Sequence, residues 1–172
     1  MKLLLTGDSF AANWNGDYLG WADMLDKDHT VTNLAQCGIG EYKILKQFDG
    51  VELEQFDAII VSHTSPYRIH TALHPLHTDN SIHANSDFIY EDIKGRLPEV
   101  EQFFKYYFDL EYAEFIHNML VKEINTILRD YRVIDTTSIG LRKLFETNRG
   151  TVQHLNKEGN KIFFNRILRS LR

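Results

Sequence analysis

The sequence predicts an α/β fold built on a parallel sheet, and three observations carry that expectation. Short apolar or β-branched runs recur at Lys2–Thr6, Thr30–Leu34, Asp57–Ser62 and Tyr131–Asp135. The segments between them place apolar residues at three and four spacing, the helical period. The run Asp57–Ser62 (DAIIVS) shows no polar alternation, as expected of a strand covered on both faces. Strands that alternate with helices are joined by crossovers and therefore pair in parallel.

Taken in order, Lys2–Thr6 reads as a buried strand that runs into a tight turn at Gly7-Asp8-Ser9. Tyr18–Lys27 (YLGWADMLDK) brings Leu19, Ala22 and Leu25 to one helical face, with Asp17 as its cap. Thr30–Leu34 is the second strand, followed by a loop marked by Gly38, Gly40 and Glu41 and a helix over Tyr42–Phe48. After the third strand, His63–Arg96 is a polar stretch that a minimal α/β unit does not need, and it reads as an insertion bounded at about residues 66 and 115. Pro98–Arg129 fits one long helix or two consecutive ones, and its series Phe103, Phe104, Tyr106, Tyr107, Phe108, Tyr112 and Phe115 reads mostly as helix core. Tyr131–Asp135 supplies the fourth strand. Asn156–Leu171 repeats apolar residues at Ile162, Phe163, Ile167 and Leu171, a last helix laid on the sheet.

The chain's 172 residues suit a single domain over 1–172. With 43% hydrophobic and 25% charged residues its composition is globular. A net charge of -5 argues against nucleic acid or an anionic membrane as partner. The one cysteine, Cys37, cannot form an internal disulfide and reads as a small buried residue, which fits a reducing compartment. Leu3–Leu5 is too short for a secretory leader and no stretch nears about 18 uninterrupted apolar residues, so the expected location is cytoplasmic, without a membrane partner. Oligomeric state is not legible in the chain.

Open parallel sheets bind ligands at the carboxyl ends of their strands, and four chemistry-bearing segments fall there. Gly7-Asp8-Ser9-Phe10 follows the first strand and lifts Ser9 out of the turn. Asn33–Gly38 ends the second in a glycine whose N–H can approach a ligand closely. Ser62–Arg68 ends the third in hydroxyls, an imidazole and a guanidinium. His154-Leu155-Asn156-Lys157-Glu158-Gly159-Asn160 opens the final helix. Asp8, which suits bonding within its own turn, is carried with His63, Thr64, Tyr67, Arg68 and His70 as a candidate substrate contact. Arg68 suits an anionic or sugar-acid group.

The G-D-S near the N-terminus, the glycine after strand two and the late H-L-N-x-x-G-N together resemble the SGNH (GDSL-type) hydrolases. That resemblance implies a flavodoxin-like three-layer α/β/α sandwich with a sheet of four to five strands. It makes Ser9 the nucleophile, His154 its base, and the backbone N–H groups of Ser9 and Gly38 the oxyanion hole. Chemistry agrees, because a serine hydroxyl attacks poorly until an imidazole takes its proton. The nucleophile elbow of α/β hydrolases is excluded, since that motif is G-x-S-x-G and here Gly7-Asp8-Ser9-Phe10-Ala11 follows the first strand.

Two positions depart from the family pattern. The family carries Asp three residues before the histidine, where this chain has Thr151. Either a backbone carbonyl or the Thr151 hydroxyl orients His154 in a Ser-His dyad, or the site is silent. On strand three the family's G-x-N-D is replaced by Thr64-Ser65-Pro66, so Ser65 is the positional equivalent of the oxyanion-hole asparagine, with Thr64 or His63 as substitutes. The S-P-x-R sequence here also resembles the GSCFA-type branch of the superfamily.

The resemblance thus implies a serine esterase or acylhydrolase acting on a small or carbohydrate-linked ester, such as an O-acetyl group, because no long apolar lid is evident. The competing expectations are a catalytically silent saccharide-binding module and an O-acyltransferase. No cofactor is expected. Five histidines fall between His63 and His83, and His70, His74 and His77 with Asp79 and Asp87 have spacing reminiscent of a metal site, but Pro75 interrupts the helix that would present them, so no metal is expected.

Overall fold

A computed structural model of the chain describes residues 1–13, 16–77, 83–151 and 154–172. Its center is a parallel sheet of four strands, β1 (Lys2–Gly7), β2 (Thr30–Asn33), β3 (Ala58–Ser62) and β4 (Val133–Asp135), in the order β2-β1-β3-β4. β1 pairs with β2 from Lys2 opposite Thr30, and with β3 as far as Gly7 opposite Ser62. β4 joins β3 with Ile59 opposite Val133.

Side chains alternate across a strand, so the continuous apolar runs divide between two cores. Leu3, Leu5, Ala58, Ile60 and Ile134 face one layer, made by α1 (Trp21–Leu25), α6 (Leu141–Thr147) and α7 (Lys157–Ser170), where Trp21, Leu144, Phe163 and Ile167 are buried. Leu4, Ile59 and Val61 face the other, where α2 (Glu41–Lys46) contributes Ile44 and α5 (Leu110–Ile127) contributes Ile124. Burying each such side chain fully is worth about 1.5–3 kcal/mol. Helix, sheet and helix are thus stacked as the expected three-layer α/β/α sandwich.

Several local expectations are corrected. The first helix is shorter than Tyr18–Lys27 and is capped at Gly20, whose N–H donates to Asp23 at 3.0 Å, and Asp17 is not its cap. Of the two alternatives for Pro98–Arg129, the chain takes the second, two consecutive helices, α4 (Pro98–Tyr106) and α5, because the Asp109 carboxylate accepts from the Tyr112 N–H and starts a new helix. α6 was not foreseen, although Leu141, Leu144 and Phe145 have helical spacing. The short α3 (Tyr90–Ile93) lies in the stretch after β3, where Ile69 also bridges Phe88. Asp79, weighed above as a ligand, lies outside the described residues.

The aromatic series is not helix core. α4 buries no residue, and Tyr107, Tyr112 and Phe115 are 75%, 65% and 59% exposed. α5 meets the core through Ile124, near its end, so the rings on α4 and the first turns of α5 have no further layer to pack beneath. Among the described residues, no helix is long and apolar enough to cross a membrane.

Candidate active site

The strand order reverses between β1 and β3, and the crevice at the carboxyl ends of these strands is where open α/β sheets bind ligands. Two glycines shape the turns beside the crevice. Gly7 adopts φ +138°, and a Cβ there would lie 2.4 Å from the Ser62 carbonyl oxygen on the neighboring strand. Its backbone is clamped by buried Gln47 of the turn after α2, which accepts from Gly7 N–H at 2.7 Å and donates to Gly7 O at 3.1 Å. Gly38 adopts φ +75°, with Ser86 Cβ 2.6 Å from where its own Cβ would stand.

Asp8 is 5% exposed. Its carboxylate accepts from the Phe10 N–H at 3.0 Å and from the Ser62 hydroxyl at 3.3 Å, so it ties down the turn that presents Ser9. Burial pushes its pKa up to about 6, against the opposing pull of the Phe10 N–H, Arg68, and the Thr64 and Ser62 hydroxyls. The folded state therefore holds a proton on Asp8 that the unfolded chain releases near 3.8, and stability falls as pH rises from about 4 to about 6. Asp8→Asn removes that titration. The stability advantage of the variant over wild type should grow by roughly 3 kcal/mol between pH 4 and pH 7, measured by urea unfolding. An advantage that does not change with pH would refute the account.

The loop after β3 is held by its own Arg68 and by two side chains from elsewhere, Arg142 and Glu41. Arg68 Nη1 donates to Gly38 O at 2.8 Å and its Nε to Thr64 Oγ1 at 3.2 Å, linking the second-strand loop to the third. Arg142 of α6 donates to Thr64 O at 2.9 Å. Glu41, the first residue of α2 and 4% exposed, takes the Thr64 N–H on Oε2 at 3.2 Å and stands with Oε1 2.5 Å from His63 Nδ1. A carboxylate only accepts, so His63 Nδ1 carries the proton. Burial alone would lower the His63 pKa, but the hydrogen bond and charge of Glu41, with the charges of Asp135 and Asp8, raise it above its ordinary value. The same carboxylate lies 3.6 Å from His117 Nδ1 of α5, whose pKa burial lowers, with the His63 and Arg142 charges acting in the same direction against Glu41.

The late motif is explained residue by residue. Asn156 caps α7 by accepting the Gly159 N–H at 2.8 Å. Asn160, 6% exposed, donates to Leu155 O and Asn156 O and accepts from the Trp21 N–H of α1. Leu155 is buried and bridges Arg149, closing a loop in which the Gly150 N–H donates to His154 O at 2.7 Å. The His154 ring sits against Phe10, centroids 5.3 Å apart, which brings the imidazole to the turn that carries Ser9. Thr151 is exposed, and its backbone carbonyl accepts the His154 N–H at 3.2 Å. Its neighbors Val152 and Gln153 lie outside the described residues.

Asp8, Ser9, Gly38, His63, Thr64, Ser65, Arg68 and His154 all border one cavity of about 660 Å³. Tyr67, His70 and Thr151 do not line it. His70 instead lies edge-on to Tyr42 and 3.4 Å from Asp87. His77 and His83 border the cavity, and with buried His74 they form a series of tilted rings, centroids 4.4 and 5.5 Å apart. Burial lowers the pKa of His74 and His83, and the charge of His77 adds to it. Sequence reasoning missed Glu41, Gln47 and Arg142. None of the three left a local signal, because each acts on a partner far away in sequence.

No protein-family profile matches the chain, and no curated protein does. Among solved structures it is similar to a lipase/acylhydrolase from Enterococcus faecalis, at 15% identity and TM-score 0.49 over 99% of this chain and 94% of that one. It is similar to a catalytic mutant of an acetylxylan esterase from Geobacillus stearothermophilus, at 12% identity and TM-score 0.49 over 99% and 93%. It is also similar to a psychrotrophic esterase from a Pseudoalteromonas species, at 14% identity and TM-score 0.48 over 99% and 96%.

Proposed function

We propose that the chain is a serine esterase or acylhydrolase of the SGNH type, working through a Ser9-His154 dyad. The observation that carries this reading is the convergence of Ser9, Gly38, Ser65 and His154, from four separate loops, on the rim of one cavity. Ser9 Oγ attacks the ester carbonyl as His154 takes its proton. The backbone N–H groups of Ser9 and Gly38 and the Ser65 hydroxyl hold the oxyanion. His154 then returns the proton to the departing alcohol, and water, activated by the same imidazole, clears the acyl group. A cavity of about 660 Å³ bordered by Arg68, Arg142 and Arg149 suits a polar, carbohydrate-linked alcohol on the leaving side. The chain has no carboxylate at residue 151, so a backbone carbonyl or the Thr151 hydroxyl orients the imidazole.

The exposure of Thr151, at the position where a triad acid would stand, favors a second reading, a saccharide-binding module that kept the pocket and lost turnover. A fluorophosphonate probe separates the two without knowledge of the substrate. Intact-mass analysis should find one adduct on Ser9, absent in Ser9→Ala and His154→Ala. A folded wild-type protein that takes no adduct would replace the esterase with the binding module.

A further inference from the structure

A second cavity, of about 330 Å³, adjoins the first across Ser65 and Arg68, which border both. Its walls include Phe103, Tyr107, Phe108, Tyr112, Ile116 and Leu120, from α4, α5 and the link between them. Three of these rings are more than one-third exposed, with Phe103 at 45%, Tyr112 at 65% and Tyr107 at 75%. Apolar surface gathered into a concave wall beside a polar catalytic rim marks a ligand subsite rather than scattered surface hydrophobics.

Geometry sorts the substituents of the reacting carbon between the two cavities. Once Ser9 has added, that carbon carries an oxyanion, the departing oxygen and the acyl substituent. The departing oxygen must face His154 to be protonated, and His154 borders the larger cavity and not the smaller. Ser65 and Arg68 border both cavities, so the second cavity opens beside the proposed oxyanion donors and away from His154, on the side left for the acyl substituent. We infer that this cavity receives the acyl group of the ester, and that the group is an apolar one larger than acetyl, either aryl or a medium-length chain. The inference rests on the serine-esterase reading of the first cavity. A methyl group would leave most of the space to water against aromatic walls, whereas each additional buried methylene strengthens transition-state binding roughly fourfold.

The test uses 4-nitrophenyl acetate, hexanoate and benzoate with the full chain. Wild type should show a kcat/KM at least tenfold higher for hexanoate or benzoate than for acetate. Ala113→Trp, which fills the cavity from α5, should cut the hexanoate-to-acetate ratio at least tenfold. Phe103→Ala, at a 45% exposed position and checked for folding by circular dichroism, should lower the same ratio severalfold. A wild-type preference for acetate, or a ratio that neither variant moves, overturns the inference. If Ser9 takes no fluorophosphonate and no ester turns over, the esterase reading has failed by itself, and the cavity is read by binding. Displacement of N-phenyl-1-naphthylamine by hexanoate, weakened in Ala113→Trp, would then uphold an apolar acid site. No displacement, or exclusion of the probe by a dimer formed through α4 and α5 in sedimentation, overturns it.

Discussion

Ser9→Ala and His154→Ala should each lower kcat by roughly 10³-fold or more, and the double variant should be no slower than the slower single one. The reason is that nucleophile and base act as one unit. Without His154 the Ser9 hydroxyl keeps its proton, and without Ser9 the imidazole has no nucleophile to activate. Removing the second member therefore costs little more once the first is gone. What survives is the contribution of binding and of the oxyanion donors, which act on any water that attacks the carbonyl directly. Steady-state kinetics on the best ester, with circular dichroism to establish that each variant is folded, makes the measurement. Multiplicative losses in the double variant would mean that the two residues act independently and that the dyad is wrong.

The sheet was legible because burial on both faces writes itself into a strand as an uninterrupted apolar run, as in Ala58–Ser62. That Ser9, Gly38 and His154 meet at one cavity was legible through short motifs whose spacing reflects local geometry: a turn after a strand, a glycine with positive φ, and a capped helix start. Glu41 was not, because its meaning lies in a contact with His63 across 22 positions, and a lone Glu beside two glycines looks like solvated loop. Gln47 was hidden for the same reason, its partner Gly7 being 40 positions away. The aromatic series misled because core rings and cavity rings have the same composition and spacing. Only the number of layers above them decides, and that is a property of the whole fold. The break at Asp109 was half legible, since Asp three positions before Tyr112 is an ordinary cap that the apolar periodicity on both sides masks.

Glu41→Gln is expected to cost about 3 kcal/mol of stability at pH 6, because one acceptor must then do the work of two. The carboxylate takes the Thr64 N–H on one oxygen and the His63 Nδ1–H on the other. The amide keeps a single oxygen and turns an NH₂ toward one of these donors. The missing charge also changes how His63 titrates. With Glu41 the His63 pKa stands above its ordinary value, so the pair stabilizes fully below about pH 6.5 and the contribution is lost as pH rises through the raised value. Without it, burial governs, the imidazole is neutral, and that loss should vanish, so the variant's deficit narrows from pH 6 to pH 9. His117 faces the same carboxylate, and its own pKa is lowered by burial and by the His63 and Arg142 charges, against Glu41. Activity should respond as well, since the Thr64 N–H bond fixes the segment that carries Ser65. Loss of a well-placed oxyanion donor typically costs roughly 10²–10³ in rate, and a shift of its loop should appear in kcat with KM little changed. Urea unfolding at the two pH values and kcat on one ester give both readouts. A deficit equal at pH 6 and pH 9 would mean that the Glu41–His63 pair carries no charge worth having, and an unchanged kcat that the loop holds Ser65 without it.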